Sequence, residues 1–152
     1  MFLSHLPEDI HPANMYEDYF KFAFVRNPWD RLVSFWRNKI IGNINSDFGY
    51  EKEEFEYFVN FVGENINLSY GNKHLRLQSR LIDMNNIDYL GRFENFNNDL
   101  EEVMKGLNIK AQINKLNASK RKIDYRDYYS DSSKDKVAKL YKRDINLFNY
   151  EF

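Results

Sequence analysis

The chain has 152 residues, 22 Lys and Arg against 23 Asp and Glu, a net charge of −1, 17% aromatic residues and no cysteine. That length and aromatic content fit a single domain over 1–152 with a real core, and the absence of cysteine excludes disulfides and thiolate metal sites. The balanced charge excludes a global field for nucleic acid or an anionic membrane, no apolar run approaches membrane-spanning length, and the first residues lack signal-peptide blocks, so the expectation is a soluble, cytoplasmic chain.

Residues 1–18 are polar and carry Pro7 and Pro12, which predicts a loop leading to at most a brief helix. Residues 19–25, Tyr-Phe-Lys-Phe-Ala-Phe-Val, read as a buried strand that Arg26 ends. Asn27 is a good helix N-cap, Pro28 suits the first helical position, and Asp30 stands where a carboxylate closes a capping box and faces the positive helix end. A strand, a tight turn and a helix running to about Lys39 follow. Orphan N–H groups at such a helix start, beside the departing Arg26, make an anion site. Ser34 lies two turns on and returns to the cap's face, so one guanidinium and one hydroxyl can grip one phosphate. Each residue alone also has a structural reading: an arginine can end any strand, and Ser34 can be a small packing residue.

Residues 42–49 read as a polar loop, residues 51–61 as an amphipathic helix through Phe55, Phe58 and Val59, and residues 63–72 as another loop. His74 and Gln78 are four apart and share a face if that piece is helical. Residues 87–96 read as a second core strand running into a turn, and Leu100, Val103, Met104 and Leu107 as the stripe of the next helix. Residues 116–122 form a polar, basic loop. Ser132 is a plausible cap, with Asp135 closing its box, for a last helix marked by Val137, Leu140, Tyr141 and Ile145 and ending near Leu147. The sequence offers no convincing metal cluster.

The run Arg26-Asn27-Pro28-x-x-Arg31-Leu32-Val33-Ser34 after an aromatic strand resembles the 3′-phosphate-binding segment of sulfotransferases that use 3′-phosphoadenosine 5′-phosphosulfate, PAPS. The resemblance is to the carbohydrate-type branch, which includes the heparan and chondroitin enzymes and bacterial relatives. It implies an α/β, P-loop-NTPase-like sulfotransferase fold with a short parallel sheet flanked by helices, in which Arg26 and Ser34 hold the 3′-phosphate. His5, in Ser4-His5-Leu6-Pro7, resembles the neighbourhood of the family's base; an imidazole titrating near neutrality can take the acceptor's proton, although a lone terminal histidine can also do nothing. His74 and Gln78 resemble an acceptor-side His-x-x-x-Gln pair, with Leu77 where the family usually has proline, and a partly buried structural histidine is the competing reading. Leu90-Gly91-Arg92-Phe93-Glu94-Asn95 resembles the segment whose aromatic lies near the adenine, so Phe93 either stacks on the base or belongs to the core. Asn117-Ala118-Ser119 with the following basic residues resembles the loop that closes over the nucleotide, which gives Ser119 and Arg121 as further cofactor contacts unless that run is simply solvated.

The family holds the 5′-phosphosulfate in a loop after its first strand, where N–H groups and a cation cradle the transferring group. Residues 1–18 contain no Lys or Arg and the first glycine is Gly42, so the N-terminal strand, loop and helix are expected to be missing, leaving an open sheet edge. Two readings follow. One is a PAPS-dependent sulfotransferase transferring a sulfuryl group to a carbohydrate-type hydroxyl without a metal, and the other is a non-catalytic remnant that binds only the 3′-phosphoadenosine end. A nucleotide kinase of related architecture is a poor third, because its Gly-x-x-x-x-Gly-Lys-Ser/Thr loop is absent. No nucleic-acid or membrane partner is expected, and the oligomeric state is left open.

Overall fold

A computed structural model describes residues 17–40, 52–110 and 123–152. The chain divides into two compact units, residues 1–25 with 78–116 and residues 26–77 with 117–152.

In the first unit, strand β1 (Phe22–Val25) pairs in parallel with β2 (Tyr89–Arg92), in the register Phe22 with Tyr89 through Val25 with Arg92. The strand expected over 19–25 is shorter at its start. There Lys21 donates its N–H to the Asp88 carboxylate at 2.6 Å, and its carbonyl accepts from the N–H groups of Asp88 and Tyr89. The Asp88 carboxylate stands in for one backbone acceptor at that end, while the Lys21 carbonyl keeps its backbone partners. Beyond β2 a 3-10 turn, Phe93–Asn95, leads into helix α3 (Phe96–Gly106). The Phe24 ring lies flat enough on Gly91 that a Cβ there would stand 2.6 Å from the ring, and it meets Phe96 at 4.9 Å between centroids. Gly91 is therefore the residue that lets an aromatic close over the sheet.

The second unit holds α1 (Pro28–Phe35), which continues as a π-helical turn over Trp36–Ile40, then α2 (Lys52–Asn65), α4 (Asp131–Leu140) and α5 (Lys142–Phe148). Its core is Leu32, Val33 and Trp36 against Phe55, Val59 and Val62, closed by Val137 and Tyr141. Trp36 packs edge-on to Phe55 at 5.3 Å, and Phe55 edge-on to Tyr129 at 4.9 Å. Full burial of each such ring contributes about 1.5–3 kcal/mol, with up to ~1.5 kcal/mol more from ring geometry.

Two expectations are corrected in this unit. The helix predicted for 51–61 runs on to Asn65 and takes in Gly63, where a Cβ would stand 2.9 Å from Lys136 Cε and 3.4 Å from Leu140 Cδ1. Gly63 is the crossing point of α2 and α4, so it punctuates packing and not the backbone. The last helix is two helices. Its N-cap is Ser130, not Ser132, because Ser130 and Ser133 exchange the two bonds of a capping box and Ser130 Oγ also bonds Glu56 on α2 at 3.0 Å. The break falls at Tyr141, whose hydroxyl reaches the Leu75 carbonyl at 2.8 Å, and α5 ends at Asn149 in the left-handed region with φ 52. The mixed helices and short parallel sheet bear out the α/β class.

Candidate functional site

The site is built from the turn between β1 and α1. Asn27 caps α1 as the sequence predicts, accepting the Trp29 N–H at 3.0 Å on Oδ1, and Pro28 follows it. The consequence differs from the expectation. Pro28 has no N–H and the Trp29 N–H goes to the cap, so the helix start offers little to an anion. Asn27 itself is buried, and its Nδ2 donates to the Glu151 carbonyl at 2.7 Å and to Tyr125 Oη at 3.4 Å. The chain's last residues thus fasten the turn. Phe152 packs edge-on against Trp29, Tyr125 and Tyr129, and Tyr129 Oη donates to the Trp29 carbonyl at 2.9 Å.

Asp30, read as a capping-box residue, instead accepts from Arg26 Nε at 2.6 Å. That pairing turns the Arg26 side chain along α1, one turn in from the cap. Ser34 is one further turn on, and residues four apart on a helix have Cβ atoms about 5–6 Å apart on one face. Arg26, Asp30 and Ser34 therefore make one stripe along α1, with Ser34 half-buried and its Oγ 3.4 Å from Asn38 Nδ2. Arg26 is partly sheltered, its side chain 20% exposed, so a phosphate there would meet a guanidinium with reduced water competition. The Arg26 guanidinium thus lies along the flank of α1 rather than at its tip.

The other arginine of the run has a different job, one that no sequence pattern announces. Arg31 donates to the carbonyls of Arg76 at 2.8 Å and Lys73 at 3.3 Å. Desolvation lowers its pKa, offset in part by the phenol of Tyr141 and the fully buried Asp144.

His74 sits in a turn, not a helix, so the shared face with Gln78 does not form. The turn is made by Asn72, whose Oδ1 takes the His74 N–H at 3.0 Å and whose carbonyl takes those of Leu75 and Arg76. His74 is exposed, which removes the partly buried structural reading, and its ring lies 6.0 Å from Phe35. Gln78 is buried in a 3-10 turn, Gln78–Arg80, of the other unit. Phe93, also in that unit, is 48% exposed at the end of β2 and 5.9 Å from Phe96, so it is not a core residue and presents a face on which a base can stack. His5, Ser119 and Arg121 lie outside the described residues. Among the described residues no group of His, Asp and Glu is arranged to hold a metal, and no helix is long and apolar enough to cross a membrane.

A parallel strand ends at Arg26 and leads into a helix that carries Ser34 two turns on, the arrangement that the resemblance to sulfotransferases implies. The family comparison agrees: the model described as "Sulfotransferase family" matches residues 2–151, and the chain belongs to that family. It is similar to carbohydrate sulfotransferase 10 of Xenopus laevis, with 26% identity over 95% of this chain and 50% of the relative. The chain spans about half the length of the curated relative it matches. No solved structure gives a significant match.

Proposed function

We propose that the chain is a PAPS-dependent sulfotransferase of P-loop-NTPase-like fold acting on a hydroxyl of a carbohydrate-type acceptor, and that the α1 flank binds the 3′-phosphate of the nucleotide. The observation that carries the reading is the Arg26–Asp30–Ser34 stripe. Asp30 fixes the guanidinium through Nε, and the flat fork of Arg26 then meets phosphate oxygens with its terminal nitrogens, while Ser34 donates from the same face. This donor set suits a phosphate monoester, since it combines one delocalised cation with a neutral hydroxyl. The nucleotide supplies the sulfuryl group. The base is His5, as the resemblance implies, and His74 stands on the acceptor side, on a turn in the same unit as Arg26 and Ser34. As the acceptor oxygen bonds to sulfur its proton passes to the imidazole, and the bond from sulfur to the 5′-phosphate oxygen breaks with its electron pair staying on the phosphate.

Calorimetric titration of 3′-phosphoadenosine 5′-phosphate tests the binding half. Arg26→Ala should weaken affinity by roughly thirtyfold or more, from the loss of a charged partner, and Ser34→Ala by about fivefold. Parent affinity in Arg26→Ala would overturn the assignment. Transfer from labelled PAPS to a polysaccharide tests the catalytic half, and tight nucleotide binding with no transfer would leave only a nucleotide-binding module.

A further inference from the structure

Two side chains that touch neither phosphate nor solvent chemistry converge on the turn that carries His74. Arg31, from α1, donates to the carbonyls of Lys73 and Arg76. Tyr141, from the α4–α5 break, donates to the carbonyl of Leu75 between them at 2.8 Å. Three of the four carbonyls over residues 73–76 are thus held by donors from outside the turn. The turn is also tied from within: Arg76 Nη2 donates to the Tyr70 and Gly71 carbonyls at 2.9 Å, and the Leu77 N–H to Leu68 at 2.9 Å. Nothing in ordinary turn chemistry requires a charged donor at this place. A half-sheltered arginine whose fork bonds two backbone carbonyls orders them far better than water does, at the cost of its own desolvation.

We propose that Arg31 and Tyr141 are positioning residues that clamp the 73–76 turn to α1 and so fix His74 relative to the Arg26–Ser34 stripe. The run Arg26-x-x-x-x-Arg31 then divides its work: Arg26 meets the nucleotide, and Arg31 sets where the acceptor-side histidine stands. Desolvation lowers the Arg31 pKa in that sheltered place, and Tyr141 and then the buried Asp144 offset part of it. The inference rests on the reading of His74 as an acceptor-side group.

The test is carried out on the whole chain, labelled for histidine ring resonances and for amide exchange. Tyr141→Phe removes one hydroxyl and keeps the packed ring, so the fold survives it. Its amides at Leu75, Arg76 and Leu77 should exchange roughly tenfold faster or more, as expected when a local opening is released. The His74 ring resonances should move toward those of a free imidazole, while α2 exchange and affinity for 3′-phosphoadenosine 5′-phosphate stay at parent values. Arg31→Lys keeps the charge but not the fork and should behave in the same way. Parent-like His74 resonances and exchange in both variants would overturn the clamp, as would faster exchange spread evenly through α2 and α4. Undiminished nucleotide binding by Arg26→Ala would sink the functional reading and leave the clamp result standing.

Discussion

Replacing Asn27 with alanine should damage the site from beneath, because this buried side chain joins the start of α1 to the C-terminal segment. It loses the cap bond to the Trp29 N–H, which costs about 0.5–2 kcal/mol. It also removes the Nδ2 donor that reaches the part-buried Glu151 carbonyl at 2.7 Å, and a lost neutral hydrogen bond costs about 0.5–1.5 kcal/mol. The two losses share one side chain and are not strictly additive, so the sum is about 1–3 kcal/mol. For a chain of this size each kcal/mol lowers the melting temperature by about 2–4 °C, which gives roughly 2–12 °C. Calorimetric melting reads this directly. Asn27→Ser separates the parts, since its hydroxyl keeps a cap acceptor and is too short to reach the Glu151 carbonyl. It should fall between parent and alanine. An alanine variant melting within about 1 °C of the parent would refute the idea that this residue ties the C-terminal segment to the motif.

Gly91→Ala drives a methyl against the Phe24 ring, 2.6 Å from its nearest atom, and should destabilise the chain by about 1–3 kcal/mol in urea titrations. Neutral behaviour would mean that the ring is not fixed over the strand. Burial raises the pKa of both Tyr129 and Tyr141, so neither phenol ionises in the folded chain near its ordinary value of 10.0. The unfolded chain binds fewer protons above that pH, so stability is full below about pH 10 and falls as pH rises beyond it. Tyrosinate absorbance should therefore rise for the exposed tyrosines first and for these two only with cooperative unfolding, and Tyr129→Phe should shift that transition upward.

Strong local chemistry was legible. Asn27 and Pro28 announce the start of α1, and a period of three to four residues announces α2 and α3. The strand, turn and helix around Arg26 were likewise visible as a pattern. What the sequence could not display is where side chains find partners far along the chain. Asp30 stands at a capping position and pairs with Arg26 instead, at 2.6 Å. Ser130 prevails over Ser132 through a bond to Glu56, which is 74 residues away. Gly63 reads as a loop residue until α4 is seen to need the space. Arg31 is the clearest omission: a charged residue in a motif suggests a ligand, and only the fold shows it turned to the carbonyls of Lys73 and Arg76.

The central claim, that the α1 flank reads a 3′-phosphate, is tested most directly by a double comparison of ligand and protein. Titration of 3′-phosphoadenosine 5′-phosphate and of adenosine 5′-phosphate into the parent and into Arg26→Ala isolates the one phosphate and the one guanidinium. The parent should prefer the 3′-phosphorylated nucleotide by roughly thirtyfold or more, the range for a desolvated charged pair. Arg26→Ala should lose that preference and bind adenosine 5′-phosphate within about twofold of the parent, as a distant, uncoupled contact would. A preference that survives intact in Arg26→Ala, or a parent that does not distinguish the two nucleotides, would contradict the account.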